Sequence, residues 1–199
     1  MPTPEPGRVR LRERIGTGAF STVWLGWDPE LDAQVAVKIL ADNWAARADV
    51  RERFLAEGRL LRKVDSDRLV RVYDVGELED GRPYLVMTYA AGGALADLLA
   101  VAPLETADAR AVLAAVAEGL SVLHRQGIVH RDLNPNNILL LTGDPAADLY
   151  HDVVLADLGL AKEVAAASGL TQPAGTGAYM APEQLDYSDR IGPATDVYA

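Results

Sequence analysis

Cysteine is absent from all 199 residues, so disulfides, thiolate zinc sites and cysteine nucleophiles are excluded together. A reducing cytosol fits that composition. Long apolar runs are missing as well: no stretch approaches the roughly 18 residues that a membrane-crossing helix needs. The opening MPTPEPGRVR has no apolar segment of the kind a secretory signal carries. A soluble cytoplasmic protein is therefore expected. Basic residues are outnumbered, 19 Lys and Arg against 29 Asp and Glu, for a formal net charge of −10, and no basic block stands out. Nucleic acid and anionic membranes both attract clustered Lys and Arg, so neither is expected as the main partner. The acid excess reads as a solubility feature.

What is present is ordinary material for a folded protein, 49% hydrophobic and 24% charged. The length suits one or two domains with a buried core. Residues 1–7 are rich in proline and read as a disordered lead-in. From residue 9 to 38, short β-rich runs such as 22–25 and 34–39 alternate with turn residues. Residues 49–64 predict a helix, with Val50, Phe54, Leu60, Leu61 and Val64 apolar at near-helical spacing. Strand signals follow at 69–75 and 84–89, with a turn at 79–83. After Gly92 and Gly93 alanine and leucine dominate, and residues 106–126 predict a second helix with Val112, Val116, Leu120 and Leu123 on one stripe. Residues 142–152 read as a polar loop. The order is a β-rich unit with one helix (8–89), then a helical unit (90–199).

The motifs are ambiguous one by one. Gly16 and Gly18, in Ile15-Gly16-Thr17-Gly18-Ala19-Phe20-Ser21-Thr22-Val23, allow backbone N–H groups to approach phosphate oxygens, with Val23 closing over an adenine. A plain hairpin turn has the same glycines. No helix signal follows, which separates the segment from a dinucleotide-binding fingerprint. Lys38 ends the apolar run Val35-Ala36-Val37 and alone would be a solvated edge residue. Glu57 lies close to the apolar stripe of the 49–64 helix, where it would fix the Lys38 ammonium against phosphates; alone it would be an exposed helix charge. His130-Arg131-Asp132-Leu133-Asn134-Pro135-Asn136-Asn137 is the strongest signal. Asp132 suits accepting a proton from an attacking hydroxyl, and Asn137 suits presenting an amide oxygen to Mg²⁺. Asp157, in Ala156-Asp157-Leu158-Gly159 after an apolar run, is a second hard-cation ligand or a turn residue.

Taken in order, GTGAFSTV, VAVK, the helix glutamate, HRDLNPNN, DLG and Ala181-Pro182-Glu183 resemble the eukaryotic-type serine/threonine protein kinase family from about residue 8 onward. The form YMAPEQ is similar to bacterial members. The resemblance implies an α+β, bilobal protein-kinase-like fold with a β-rich N-lobe carrying one main helix and a helical C-lobe. It implies ATP and Mg²⁺ as cofactors and a Ser/Thr hydroxyl of a protein as phosphoryl acceptor. By the same likeness, Ile15, Gly16 and Gly18 cover the nucleotide and Lys38, paired with Glu57, holds its phosphates. Met87 guards the back of the adenine pocket, Thr88 and Ala90 lie in the hinge, and Val23, Ala36 and Leu139 sandwich the base. Asp132 is the implied catalytic base, and Asn137 and Asp157 the implied Mg²⁺ ligands. His130 is implied to be structural, and Asp196 to brace the HRD backbone.

Three departures qualify that likeness. Asn134 stands where serine/threonine kinases usually carry a lysine that contacts the transferred phosphate, which makes weak activity the expectation. Residues 142–152 exceed the family's usual turn and read as a harmless surface insertion. The chain ends at Ala199, where the family continues with further helices, so a truncated C-lobe is expected. A scaffolding module with little or no activity is the alternative function; a small-molecule kinase fits less well, because the Ala-Pro-Glu segment serves protein-substrate recognition. In the expected activation loop, residues 157–183, the hydroxyls are Ser168, Thr171, Thr176 and Tyr179. A phosphate on Thr171 would pair with Arg131, while Thr176 is expected near Asp132. Phosphosite mapping of active protein should find Ser168 or Thr171 occupied; no occupancy at either would overturn the assignment.

Overall fold

Two runs of aliphatic residues, AQVAVKIL and PYLVMT, set the middle of the first sheet. In the computed structural model, which describes residues 4–144, 148–159, 177–185 and 191–199, they become β3 (Ala33–Leu40) and β5 (Pro83–Thr88), buried on both faces. Near-continuous burial is what β-branched and aliphatic runs require of a central strand. Around them lie β1 (Arg10–Thr17), β2 (Ser21–Asp28) and β4 (Val72–Glu77), in the order β1-β2-β3-β5-β4 and antiparallel throughout. β1 is an edge strand and largely exposed, studded with Arg10, Arg12 and Arg14, charges that blunt pairing with another chain.

Period-two alternation then sorts β3. Val35, Val37 and Ile39 join Val9, Leu78, Tyr84 and Val86 in one core cluster. Leu40 joins Trp44, Val50, Phe54 and Leu85 in another, so Ala36 and Lys38 share the face of β3 that Leu40 occupies. After the single turn α1 (Asp42–Ala45), the helix α2 (Ala48–Lys63) covers this face with Val50, Phe54, Glu57, Gly58 and Leu61, a stripe at helical spacing. Gly58 is required by approach: a Cβ there would lie 2.3 Å from Leu85 Cδ2.

The chain divides into two units, the first including Met1–Val64 and Arg71–Tyr89 and the second Asp65–Val70 and Ala90–Gly159. The strand expected at 69–75 therefore starts late, at Val72. Arg68, Leu69 and Val70 are bound elsewhere: Leu155 donates to the Arg68 carbonyl (2.8 Å) and accepts from the Val70 N–H (2.9 Å), with Leu69 bridging to Leu155. In the second unit, β6 (Gly93–Ala94), β7 (Ile138–Leu140) and β8 (Val153–Leu155) form a small antiparallel sheet. The helix α4 (Thr106–Arg125) packs on β8 through Val112, Ala115, Val116, Gly119, Leu120 and Leu123, following α3 (Leu95–Val101).

Two expectations change. Within the proline-rich lead-in, Pro6 is buried and its carbonyl accepts from the N–H of the core residue Val9 (3.1 Å), while Glu5 and Gly7 are exposed, so the lead-in is anchored at Pro6. The expected polar loop 142–152 contains a helical turn, α5 (Leu149–Asp152), because Asp148 caps it by accepting from the Tyr150 N–H (3.0 Å). Buried Asp152 accepts from Thr142 N–H (2.8 Å). The insertion is anchored as well: the Arg68 guanidinium lies 4.1 Å from the Tyr150 ring centroid, and both side chains bond Glu118 Oε2 on α4, at 2.7 and 2.9 Å. Among the described residues, no helix is long and apolar enough to cross a membrane.

At the start of the first sheet, Arg8 bonds both carboxylate oxygens of the fully buried Asp28 (2.9 and 3.1 Å), which also accepts from the Glu30 and Leu31 N–H groups. The Arg8 bond, ahead of the backbone donors, holds the Asp28 carboxyl below its usual 3.8. Asp28 thus binds a proton more weakly folded than unfolded. Its stabilising contribution is complete above about pH 3.8 and is lost as pH falls through the lower folded value. Thermal unfolding scanned from pH 7 to pH 2 should show a shallower acid decline for Asp28→Asn than for the natural chain, and a lower Tm for Arg8→Ala at pH 7. Parallel declines would refute the assignment.

Candidate active site

Each unit carries its own group of the expected residues. In the first, Lys38 Nζ donates to Glu57 Oε1 at 3.0 Å, with Lys38 7% and Glu57 2% exposed. Glu57 is not a solvated helix charge: it lies on the buried stripe of α2, and β3 alternation turns Lys38 toward that helix. A buried ion pair costs desolvation and is weak ground for stability. Beside Lys38, Val23 is its register partner on β2 and also pairs with Gly16 on β1, while Ala36 pairs with Met87 on β5.

The β1–β2 loop is the hairpin that its glycines allow. Gly18 N–H donates to the Ser21 carbonyl (2.8 Å), and the tip is pinned by Trp44, which donates from Nε1 to the Ala19 carbonyl (2.9 Å) and stacks on Phe20. Ile15 beside it is 44% exposed. Thr88 ends β5, its hydroxyl accepting from the Arg71 N–H at 3.1 Å.

In the second unit the segment after α4 folds around one buried carboxylate. Asp196, in the short helix Pro193–Tyr198, accepts from the N–H groups of His130 and Arg131, each at 2.8 Å, and bonds His124 Nε2 at 2.7 Å. The brace implied by the sequence is thus in place. Arg131 adopts φ 67°, a left-handed conformation that a non-glycine residue holds only when its surroundings enforce it. Next to it, Asn137 Nδ2 donates to both the main-chain oxygen and Oδ2 of Asp132, at 2.6 Å each. This assigns Nδ2 as the end of the amide that faces Asp132.

Asn134 is turned back into the loop. Its Nδ2 donates to the Asp132 carbonyl (2.9 Å), and its Oδ1 accepts from the main-chain and side-chain nitrogens of Asn136 (3.0 and 3.1 Å), capping the 3₁₀ turn Pro135–Asn137. Its amide does the work of a cap, and it brings no positive charge.

The segment after β8 closes on the same loop. Ala156 N–H donates to the Asn137 carbonyl (2.9 Å) and Gly159 N–H to the His130 carbonyl (3.0 Å). A Cβ on Gly159 would meet Asp132 Cβ at 2.8 Å, so glycine is needed for this approach. Asp157, at φ 56°, directly follows Ala156, whose N–H makes the bond to Asn137. Asn137 and Asp157 supply oxygen donors, the set a hard divalent cation takes, so these residues fit Mg²⁺. His130 is fully buried, and neither ring nitrogen meets a partner in hydrogen-bonding geometry among the described residues. Burial pushes its imidazole down toward the neutral form, against the pull of Asp196, Asp132 and Asp157. That environment suits packing rather than proton transfer. Leu139 is half-buried between buried Ile138 and Leu140 on β7, and Ala90, also half-buried, accepts from Gly93 N–H.

Sequence reading missed His124 and Gln184. His124 lies in the last turn of α4, where a Lys, Arg or His is unremarked. Gln184 Nε2 donates to the Arg131 carbonyl (2.7 Å); its only signal was its place after Ala-Pro-Glu. Ser168, Thr171 and Thr176 lie outside the described residues.

The profile of the protein kinase domain matches residues 9–199. The chain is 39% identical over 196 residues to the serine/threonine-protein kinase PknL of Mycobacterium tuberculosis, covering 96% of this chain and 47% of that protein. It is 35% identical over 201 residues to the serine/threonine-protein kinase Pkn2 of Myxococcus xanthus, covering 97% and 23%. The chain therefore spans about half the length, or less, of these curated relatives. The crystal structure of the M. tuberculosis PknI kinase domain superimposes with a TM-score of 0.72 at 28% identity, over 95% of this chain and 69% of that one. A structure of Rad53 in complex with AMP-PNP gives 0.72 at 29%, over 96% and 45%. The motifs, the two-unit α+β fold and these relatives converge: the chain belongs to the protein kinase family, among its bacterial serine/threonine members.

Proposed function

We propose that the chain is an ATP- and Mg²⁺-dependent serine/threonine protein kinase acting on a protein substrate in the cytoplasm. The observation that carries this reading is the pair of hydrogen bonds from Asn137 Nδ2 to the main-chain oxygen and carboxylate of Asp132, which fits one residue as a base and the other's amide oxygen as a metal ligand. The AMP-PNP named with Rad53, an analogue of ATP, supports the choice of nucleotide.

In this reading Lys38, held by Glu57, binds the α- and β-phosphates, while Val23, Ala36, Met87 and Leu139 contact the adenine and Thr88 and Ala90 form the hinge. Ile15, Gly16 and Gly18 cover the phosphates. Asn137 and Asp157 hold Mg²⁺, which when bound supplies positive charge beside the transferring phosphoryl group. Asp132 orients the acceptor hydroxyl of a Ser or Thr and accepts its proton. The hydroxyl oxygen bonds to the γ-phosphorus as the bond to the β–γ bridging oxygen breaks, and ADP leaves with that electron pair. Catalysis is positioning and electrostatics, with no covalent enzyme intermediate.

The arrangement of Asn134 favours a second reading, a nucleotide-binding module with low turnover. The developing charge meets no cation from this position, and a contact of that type is worth roughly 10²-fold or more in rate.

Radiolabel transfer from ATP to a Ser/Thr-rich protein separates the two readings. The kinase reading expects transfer that EDTA abolishes and that Asp132→Asn lowers by about 10²–10⁴-fold. Thermal stabilisation by Mg·ATP without transfer selects the module. Asn134→Lys should raise kcat by on the order of 10²-fold, while losing a cap worth about 1 kcal/mol of stability. An unchanged kcat in that variant would show that charge at this position does not limit the reaction.

A further inference from the structure

The two peptide units that flank Arg131 have different keepers. The N–H of Arg131 is held by Asp196 Oδ1 at 2.8 Å. Its carbonyl, the oxygen of the plane that leads into Asp132, accepts from Gln184 Nε2 at 2.7 Å. Peptide planarity makes this second bond an orientation constraint: fixing the carbonyl fixes the direction in which the Asp132 N–Cα bond leaves. The residue being held is the one at φ 67°, a backbone state that relaxes unless neighbouring groups determine it from more than one side.

The Gln184 amide is itself fixed. Its Oε1 accepts from the Ala181 N–H at 3.1 Å, which assigns Nε2 as the donor, and Ala181 is fully buried. The short helix Pro182–Leu185 that carries Gln184 is held in turn by Glu183, which accepts from the buried Thr195 hydroxyl at 2.7 Å, one residue before Asp196. Glu183, Gln184, Thr195 and Asp196 thus form a closed frame around the Arg131 peptide.

We propose that Gln184 is a positioning residue for phosphoryl transfer: through the Arg131 carbonyl it sets the orientation of the Asp132 carboxylate. The role rests on the kinase reading above. It makes a chemical demand that leucine and glutamate fail in different ways. Leucine removes the donor. A carboxylate replaces it with an acceptor facing a carbonyl, and becomes a donor again only when protonated.

The test compares Gln184→Glu and Gln184→Leu with the natural chain in steady-state kinetics from pH 5 to pH 8. Both variants should lose about 10- to 100-fold in kcat at pH 8, the range that small misplacements of catalytic groups produce, with KM for ATP unchanged. Relative to the natural chain, Gln184→Glu should recover toward pH 5 and Gln184→Leu should not. Natural kcat in either variant, or equal losses for both at every pH, would overturn the proposal. Amide exchange of His130 and Arg131 gives a readout independent of turnover: Gln184→Leu should speed it several-fold, and unchanged rates would also overturn the proposal. A natural chain that binds Mg·ATP without transfer would instead refute the kinase reading, and the exchange data would still decide whether Gln184 holds the loop.

Discussion

One buried carboxylate organises the second unit. Asp196 is 2% exposed and receives three donors or ring contacts, from His130 N–H, Arg131 N–H and His124 Nε2. A carboxylate taken out of water must be met by hydrogen bonds, and each bond to a charged group contributes about 1.5–3 kcal/mol. Meeting that demand forces the chain after α4 into a fixed path, including the left-handed turn at Arg131. The positions of Asp132, Asn134 and Asn137 follow from this path, because all three are bonded to one another within the next turn.

The first unit solves a comparable problem with a pair. Lys38 and Glu57 are both withdrawn from solvent and satisfied by each other. A hydrophobic pair in the same volume would be equally or more stable. In the proposed kinase reading these two charges serve to bind an anionic phosphate beside the glycine-bearing hairpin. Stability and function pull in different directions here, and the remaining core supplies the difference: Val35, Val37 and Ile39 are wholly buried on the other face of β3.

Asn134 shows the opposite compromise. A lysine at that position would bring charge to the phosphate; asparagine brings a cap to the turn Pro135–Asn137 and a further bond to Asp132. The loop is better determined in structure and poorer in charge. The insertion between β7 and β8 also adds fastening, since Tyr150 lies under Arg68 and joins it on Glu118. In both places this chain strengthens the frame around its site instead of the electrostatics within it.

Much of this was legible in order along the chain. Val50, Phe54 and Leu61 at helical spacing announced α2 and put Glu57 on its inner face, and alternation in VAVKIL put Lys38 on one side of β3. The family resemblance rested on six motifs in order, from GTGAFSTV to Ala181-Pro182-Glu183, with Asp132, Asn137 and Asp157 among them. These are local properties, set by backbone periodicity and side-chain chemistry. Tertiary contact decided the rest. Leu69 and Val70 have strand-forming side chains, but their backbone groups pair with Leu155, so the strand begins later. Asn134 could have faced outward, and only its neighbours Asp132 and Asn136 turn it inward. Gln184 reads as a polar surface residue until the Arg131 carbonyl, 53 residues away in sequence, is brought to it. A hydrogen bond needs both partners in place, and for partners distant along the chain only the folded structure brings them together.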